Sequence, residues 1–139
     1  DELRSIFKNF DGVFVNGGSS FYLLKSIRES GFEKVLKELL PKGFIYIGAS
    51  AGSYVACPTI EMAFWKHQDK YHHYELKDFT GMSLVPFLMT AHYMPEHESL
   101  LKEKIPQSKY PVKVLNDDQA ILVKGDKITL LGGDEIKLF

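Results

Sequence analysis

The chemistry in this chain is concentrated around one serine. Gly48-Ala49-Ser50-Ala51-Gly52 follows directly on the apolar run Phe44-Ile45-Tyr46-Ile47 and precedes Ser53-Tyr54-Val55-Ala56, which can begin a helix. A serine flanked by residues no larger than alanine, between a strand and a helix, is the G-x-S-x-G nucleophile elbow. The small neighbours have a physical reason, because the turn is sharp and its backbone must pass close to other elements. A helix starting after Ser50 also aims amide groups at any negative charge developing on a substrate carbonyl. The alternative is a tight turn whose serine merely caps a helix.

A serine nucleophile needs two further things. One is an oxyanion hole, formed by the amide after the nucleophile and one from another strand-end loop. Asn16-Gly17-Gly18 closes an earlier apolar run, so Gly18 and Ala51 are the expected donor pair. The other is a base that is neutral near physiological pH, and histidine is the usual choice. Of five histidines, His92 lies just past an apolar stretch in Ala91-His92-Tyr93. His67, His72 and His73 fall in a polar, aromatic insert, and His97 on an expected exposed helix. Their spacing brings no cysteine or carboxylate pattern with it, so no metal site and no cofactor is expected.

The elements that would position these residues follow from periodicity. Leu3, Ile6, Phe7 and Phe10 have helical spacing, broken at Asp11-Gly12. Val13-Phe14-Val15 reads as a buried strand. Ser19 or Ser20 can cap a helix carrying Phe21, Leu23, Leu24 and Ile27 that ends at Gly31, and a second stripe from Phe32 to Leu40 stops at Pro41. Phe44–Ile47 is the next buried strand. Residues 58–82 have no clean period and read as a long loop of the kind that often serves as a lid. Leu84–Thr90 is expected as a strand and Glu96–Ile105 as an exposed helix. Val112–Leu115, Gln119–Val123, Lys127–Leu131 and Ile136–Phe139 are expected as short strands, with the tightest turn at Lys124-Gly125-Asp126.

Strand, glycine loop, helix and strand in succession describe an α/β protein with a mainly parallel sheet flanked by helices and late antiparallel strands. In such sheets the working groups gather at the carboxyl ends of the strands. The 139 residues suit a single domain over 1–139. A formal net charge of −1 gives no electrostatic case for nucleic acid or an anionic membrane. The lone cysteine, Cys57, excludes an internal disulfide and makes a cytoplasmic setting the default.

Val15-Asn16-Gly17-Gly18-Ser19, then Ile45-Tyr46-Ile47-Gly48-Ala49-Ser50-Ala51-Gly52-Ser53, then Ala56-Cys57-Pro58-Thr59-Ile60 resemble the peptidase E family. These are serine peptidases of the aspartyl dipeptidase and cyanophycinase group. The resemblance implies a fold similar to the class I glutamine amidotransferase sheet, a serine nucleophile, a histidine base and small peptide substrates cleaved near an acidic N-terminal residue. It also implies that the family's N-terminal portion lies outside this sequence. A second copy of the chain, or a separate N-terminal chain, is then expected to cover the strand Val13–Val15.

The third catalytic residue is less determined. Many relatives place an aspartate shortly after the elbow helix, where this chain has Trp65; Glu61 and Asp69 are the acids nearby. Others place an acid in the turn after a late strand, which matches Asp117 in Leu115-Asn116-Asp117-Asp118. Asp117 is the favoured partner of His92, with Asp118 as the alternative. The arginine that relatives use for acidic substrates has no counterpart, since Glu96–Ile105 carries only Lys102 and Lys104. An esterase, or a non-catalytic relative that retains the elbow, is the competing reading. Gly132-Gly133-Asp134-Glu135 looks like a diguanylate cyclase signature, but it sits near the end of the chain and a turn suffices for it. Cys57 reads as a packed helix residue rather than a thiol nucleophile.

Overall fold

A computed structural model of the chain describes residues 1–66 and 74–139. The elements, in order, are α1 (Glu2–Phe7), β1 (Gly12–Val15), α2 (Ser20–Ser30), α3 (Phe32–Leu39), β2 (Ile45–Gly48), α4 (Ala51–Tyr54), β3 (Leu88–Thr90), α5 (Glu98–Lys104), β4 (Val112–Val114), β5 (Ala120–Lys124) and β6 (Lys127–Leu131). Single 3-10 turns at Leu40–Lys42, Glu61–Phe64, Pro95–His97 and Ile105–Gln107 complete them.

Among the described residues the strands form three two-stranded ladders. β1 pairs with β2 in parallel, Val13 opposite Tyr46 and Val15 opposite Gly48. β3 pairs with β4, also in parallel, and β5 with β6 in an antiparallel hairpin. The α/β class and the late antiparallel strands are therefore present, with the parallel pairing divided between two ladders.

Local chemistry explains where the helices begin and end. Ser19 caps α2, its hydroxyl accepting from the Tyr22 amide at 3.2 Å, and Gly31 ends it at φ 75°. The apolar faces of α2 and α3 bury Phe21, Leu24, Ile27 and Leu36 with Val55, Ile60 and Met82 in one cluster. A second cluster holds Cys57, Met62, Trp65, Leu88, Leu101 and Val114. Tyr54, at the end of α4, packs against both.

Several sequence expectations are corrected here. Leu84–Phe87 is not strand. The Leu84 amide donates instead to the Ala56 carbonyl at 2.8 Å, which folds the segment onto the turn after α4, and Pro86 has no amide to give to a ladder. Ile136–Phe139 forms no ladder either, although Ile136 and Leu138 pack on the second cluster. Parts of the 58–82 insert are core rather than lid, with Ile60, Met62, Trp65 and Met82 all buried. Cys57 is fully buried, but in the bend beyond α4 rather than within a helix. Nor are the first two strands buried throughout. Val13 and Tyr46 face α2, while Phe14, Ile45 and Ile47 remain 59%, 57% and 53% exposed on the opposite face. A continuous apolar run suits a sheet covered on both sides, and here the described helices cover only one.

Candidate active site

Each residue singled out for chemistry follows the carboxyl end of a parallel strand. The Asn16-Gly17-Gly18 loop follows β1, Ser50 follows β2, His92 follows β3, and Asp117 follows β4.

The elbow is held open by sterics and closed by hydrogen bonds. Ser50 has φ 54° and ψ −112°, a region that non-glycine residues rarely occupy. A β-carbon on Gly52 would lie 1.9 Å from the Val15 carbonyl oxygen, so nothing larger than glycine permits this approach. The Ala49 amide donates to the Val15 carbonyl at 2.9 Å. The Ser53 hydroxyl donates to the Gly48 carbonyl at 2.9 Å, and the Tyr46 hydroxyl to the Gly52 carbonyl at 2.6 Å. Burial pushes the Tyr46 phenol far up, so it stays a donor. α4 itself is one turn long, shorter than the helix expected after the elbow.

Three side chains meet at the mouth of this turn. His92 Nε2 lies 3.1 Å from Ser50 Oγ, and His92 Nδ1 lies 2.5 Å from Asp117 Oδ1. With the Nδ1 proton donated to the carboxylate, Nε2 presents a lone pair to the serine hydroxyl. The separations in sequence are 42 and 25 residues. Ser50 is half-buried, whereas the His92 and Asp117 side chains are 61% and 76% exposed.

The other acids are placed elsewhere. Glu61 Oε1 accepts from Thr59 at 3.1 Å and from Ser108 at 3.3 Å. Asp118 lies in the same turn as Asp117, and His92 takes the latter. Asp69, His67, His72 and His73 lie outside the described residues. The turn carrying Asp117 is braced from two sides. The Asp118 amide donates to Asn116 Oδ1 at 2.9 Å and the Asn116 amide to Gln119 Oε1 at 3.1 Å. Gln119 Nε2 donates in turn to the Asp134 carbonyl at 2.8 Å. A β-carbon on Gly132 would sit 2.0 Å from the Asp118 carbonyl oxygen. The Gly132-Gly133-Asp134 motif thus packs against the acid's turn.

A cleft of about 280 Å³ opens beside Ser50 and His92, with Gly18, Tyr54, Lys66 and His97 among its walls. The Gly17 amide is taken by its neighbour Asn16 Oδ1 at 2.7 Å, while Gly18 reaches the cleft at φ 124°. Ala51 is almost fully buried directly after Ser50.

Sequence reasoning passed over Lys66 and Tyr54, and it placed His97 on an exposed helix. His97 instead ends a 3-10 turn at the cleft, its Nδ1 accepting from the Met94 amide at 3.1 Å. The Lys66 ammonium donates to the Ala91 carbonyl at 2.5 Å. Burial lowers its pKa, and the charge of Asp117 opposes that shift. Neither Lys102 nor Lys104 lines the cleft: Lys102 pairs with Glu98 at 2.6 Å and Lys104 with Glu103 at 3.3 Å. Among the described residues no cluster of three metal-binding side chains exists, and no helix is long and apolar enough to cross a membrane.

A strained serine after a parallel strand, with a histidine and a carboxylate in line at neighbouring strand ends, defines a hydrolase-like α/β site. The family model for peptidase family S51 matches residues 1–131, and the chain belongs to that family. It is 31% identical to a peptidase E of Streptomyces coelicolor over 93% of this chain and 55% of the relative. It is 33% identical to a Drosophila melanogaster protein named as an α-aspartyl dipeptidase, over 91% of this chain and 55% of that one. A crystal structure of a peptidase E protein from Listeria monocytogenes superposes with a TM-score of 0.78 at 23% identity, covering 98% of this chain and 65% of that one. The chain spans somewhat more than half the length of the curated relatives it matches.

Proposed function

We propose that this chain hydrolyses an amide bond near the N-terminus of small peptides through an acyl-enzyme on Ser50. The single observation that carries the reading is the unbroken hydrogen-bonded line from Asp117 through His92 to Ser50. His92 Nε2 takes the hydroxyl proton as Oγ attacks the peptide carbonyl carbon. The amides of Gly18 and Ala51 stabilise the resulting oxyanion. His92 then gives its proton to the leaving amine, and water activated by the same imidazole releases the acyl group. Asp117 stays ionised and accepts a hydrogen bond from Nδ1–H throughout, which fixes the tautomer and stabilises the imidazolium. An acidic group on the substrate would face Lys66 across the cleft, in place of the absent arginine.

The test is covalent. A fluorophosphonate probe should label the wild-type chain at Ser50, as mapped by peptide mass, and dipeptides with an N-terminal aspartate should be cleaved faster than neutral ones. Absence of labelling in folded protein would end the serine-peptidase reading.

One observation favours a second reading. Oxyanion stabilisation works best where water is excluded, and His92 and Asp117 are largely exposed. A non-catalytic binding relative would leave them so. The enzyme reading calls instead for a cover, and the bare apolar face of Phe14, Ile45 and Ile47 calls for one as well. We propose that a second copy or a separate N-terminal chain supplies it, in a cytoplasmic setting where Cys57 stays reduced. Light scattering and intact mass of the purified material test this. A lone, stable 15.8 kDa monomer would overturn the cover.

A further inference from the structure

The proposed base is held in an unfavourable backbone conformation. His92 has φ 58°, a left-handed value that a non-glycine residue keeps only when its surroundings impose it. Hydrogen bonds on the two peptide units flanking His92, and one on the unit before them, do so. The Ala91 amide donates to the Tyr54 hydroxyl at 3.0 Å, the Lys66 ammonium donates to the Ala91 carbonyl at 2.5 Å, and the Tyr93 amide donates to the Leu115 carbonyl at 2.9 Å.

The first of these bonds differs from the others in where it comes from. Tyr54 ends the single helical turn that Ser50 opens, and its own amide donates to the Ser50 carbonyl at 3.0 Å. A short path therefore runs from the peptide unit after Ser50, along α4, through one phenol, to the Ala91 amide, one peptide unit before the proposed base. The ring of Tyr54 packs against both hydrophobic clusters, so its hydroxyl has little room to wander. The Lys66 and Leu115 bonds fix the orientation of His92 but make no connection to the elbow.

We propose that the Tyr54 hydroxyl is a positioning residue: it ties the elbow turn to the Ala91 amide and so sets the gap between Ser50 Oγ and His92 Nε2. The inference rests on the reading of Ser50 and His92 as nucleophile and base. A hydroxyl that only completed the packing would affect stability and not the reaction. One that sets the gap affects the acylation step, because misplacing a reacting group by about an ångström costs on the order of 100-fold.

Tyr54→Phe keeps the ring, the cleft wall and both packing contacts while removing the one oxygen. In the full chain it should slow fluorophosphonate labelling of Ser50 between about 10- and 100-fold. The kcat for a dipeptide should fall to match, with KM, far-UV circular dichroism and the melting transition close to wild type. A second readout does not depend on turnover. The low-field proton resonance of the His92–Asp117 hydrogen bond should persist in Ser50→Ala and broaden or vanish in Tyr54→Phe. Wild-type labelling rate together with an intact resonance in Tyr54→Phe would overturn the positioning role while leaving the serine reading in place. Failure of the wild-type chain to label at Ser50 would instead remove the serine reading, and the positioning role with it.

Discussion

The two hydrophobic clusters divide the site between them, and they hold their shares by different means. The cluster under α2 and α3 carries the elbow, where position is enforced by backbone contact: Gly52 against the Val15 carbonyl, Gly48 against the Gly52 carbonyl. The cluster around Trp65, Leu88 and Val114 carries His92 and Asp117 on exposed turns, held by hydrogen bonds to Lys66, Leu115, Asn116 and Gln119. Steric positioning has no graded failure, because interiors are close-packed and a blocked approach must move the chain. Hydrogen-bonded positioning fails by degrees. The Ser50 side of the site should therefore respond to substitution as a fold does, and the His92 side as a mechanism does.

The sharpest way to break the comparison is at the atoms where the halves meet. Ser50→Ala and His92→Ala should each lower kcat by roughly 10⁵- to 10⁶-fold, and the double variant should be no worse than either, because the two side chains act as one unit. Steady-state hydrolysis of a dipeptide measures this, and additive losses would separate the two residues' roles. Asp117→Asn should follow with a loss on the order of 10³- to 10⁴-fold, since the amide favours the wrong tautomer. Asp118→Asn should stay within a few-fold of wild type, and the reverse ranking would hand the role to Asp118.

Two glycine substitutions then contrast a buried backbone approach on one side of the site with an exposed one on the other. Gly52→Ala meets backbone at 1.9 Å and should cost about 3 kcal/mol of unfolding free energy in urea titration, removing activity with the fold. Gly132→Ala meets the Asp118 carbonyl at 2.0 Å and strains a φ of 87°, yet it lies in an exposed turn outside both clusters. It should displace the acid's turn and reduce kcat about 10-fold while both clusters stay intact. Equal losses of stability in the two variants would erase the distinction.

The smallest effect concerns Cys57. Burial pushes its thiol up to about 12 from an ordinary 9.0. The native chain should resist a thiol reagent near neutral pH, and the urea-unfolded chain should react with one equivalent. The sign of the linkage follows. The unfolded thiol loses its proton first, so stability is complete below about pH 9 and declines as pH rises toward 12. Flat stability across that window would show that the thiol is better solvated than its burial implies.

Local signals determined a good part of this molecule. Four apolar residues ending in glycine, a serine between alanines, and a further glycine two residues on specify strand, elbow and helix start, because only small residues allow that backbone path. Ser19 and Gly31 bound α2 for equally local reasons of capping and left-handed geometry. The β5–β6 hairpin follows from two short apolar runs on either side of a tight turn, where Gly125 takes φ 60°. Tertiary structure decided what depends on distant neighbours. Leu84–Phe87 and Ile136–Phe139 have strand-like composition, and whether such a run joins a ladder depends on a partner edge that no local pattern encodes. Asp117, rather than Glu61, meets His92 because β3 and β4 pair in parallel with Thr90 opposite Val114, which brings the two strand ends side by side. Tyr54 and Lys66 carry no motif. Their place beside His92 arises only when α4 and the turn at Glu61–Phe64 pack on β3, a juxtaposition across more than twenty residues of chain that spacing alone could not specify.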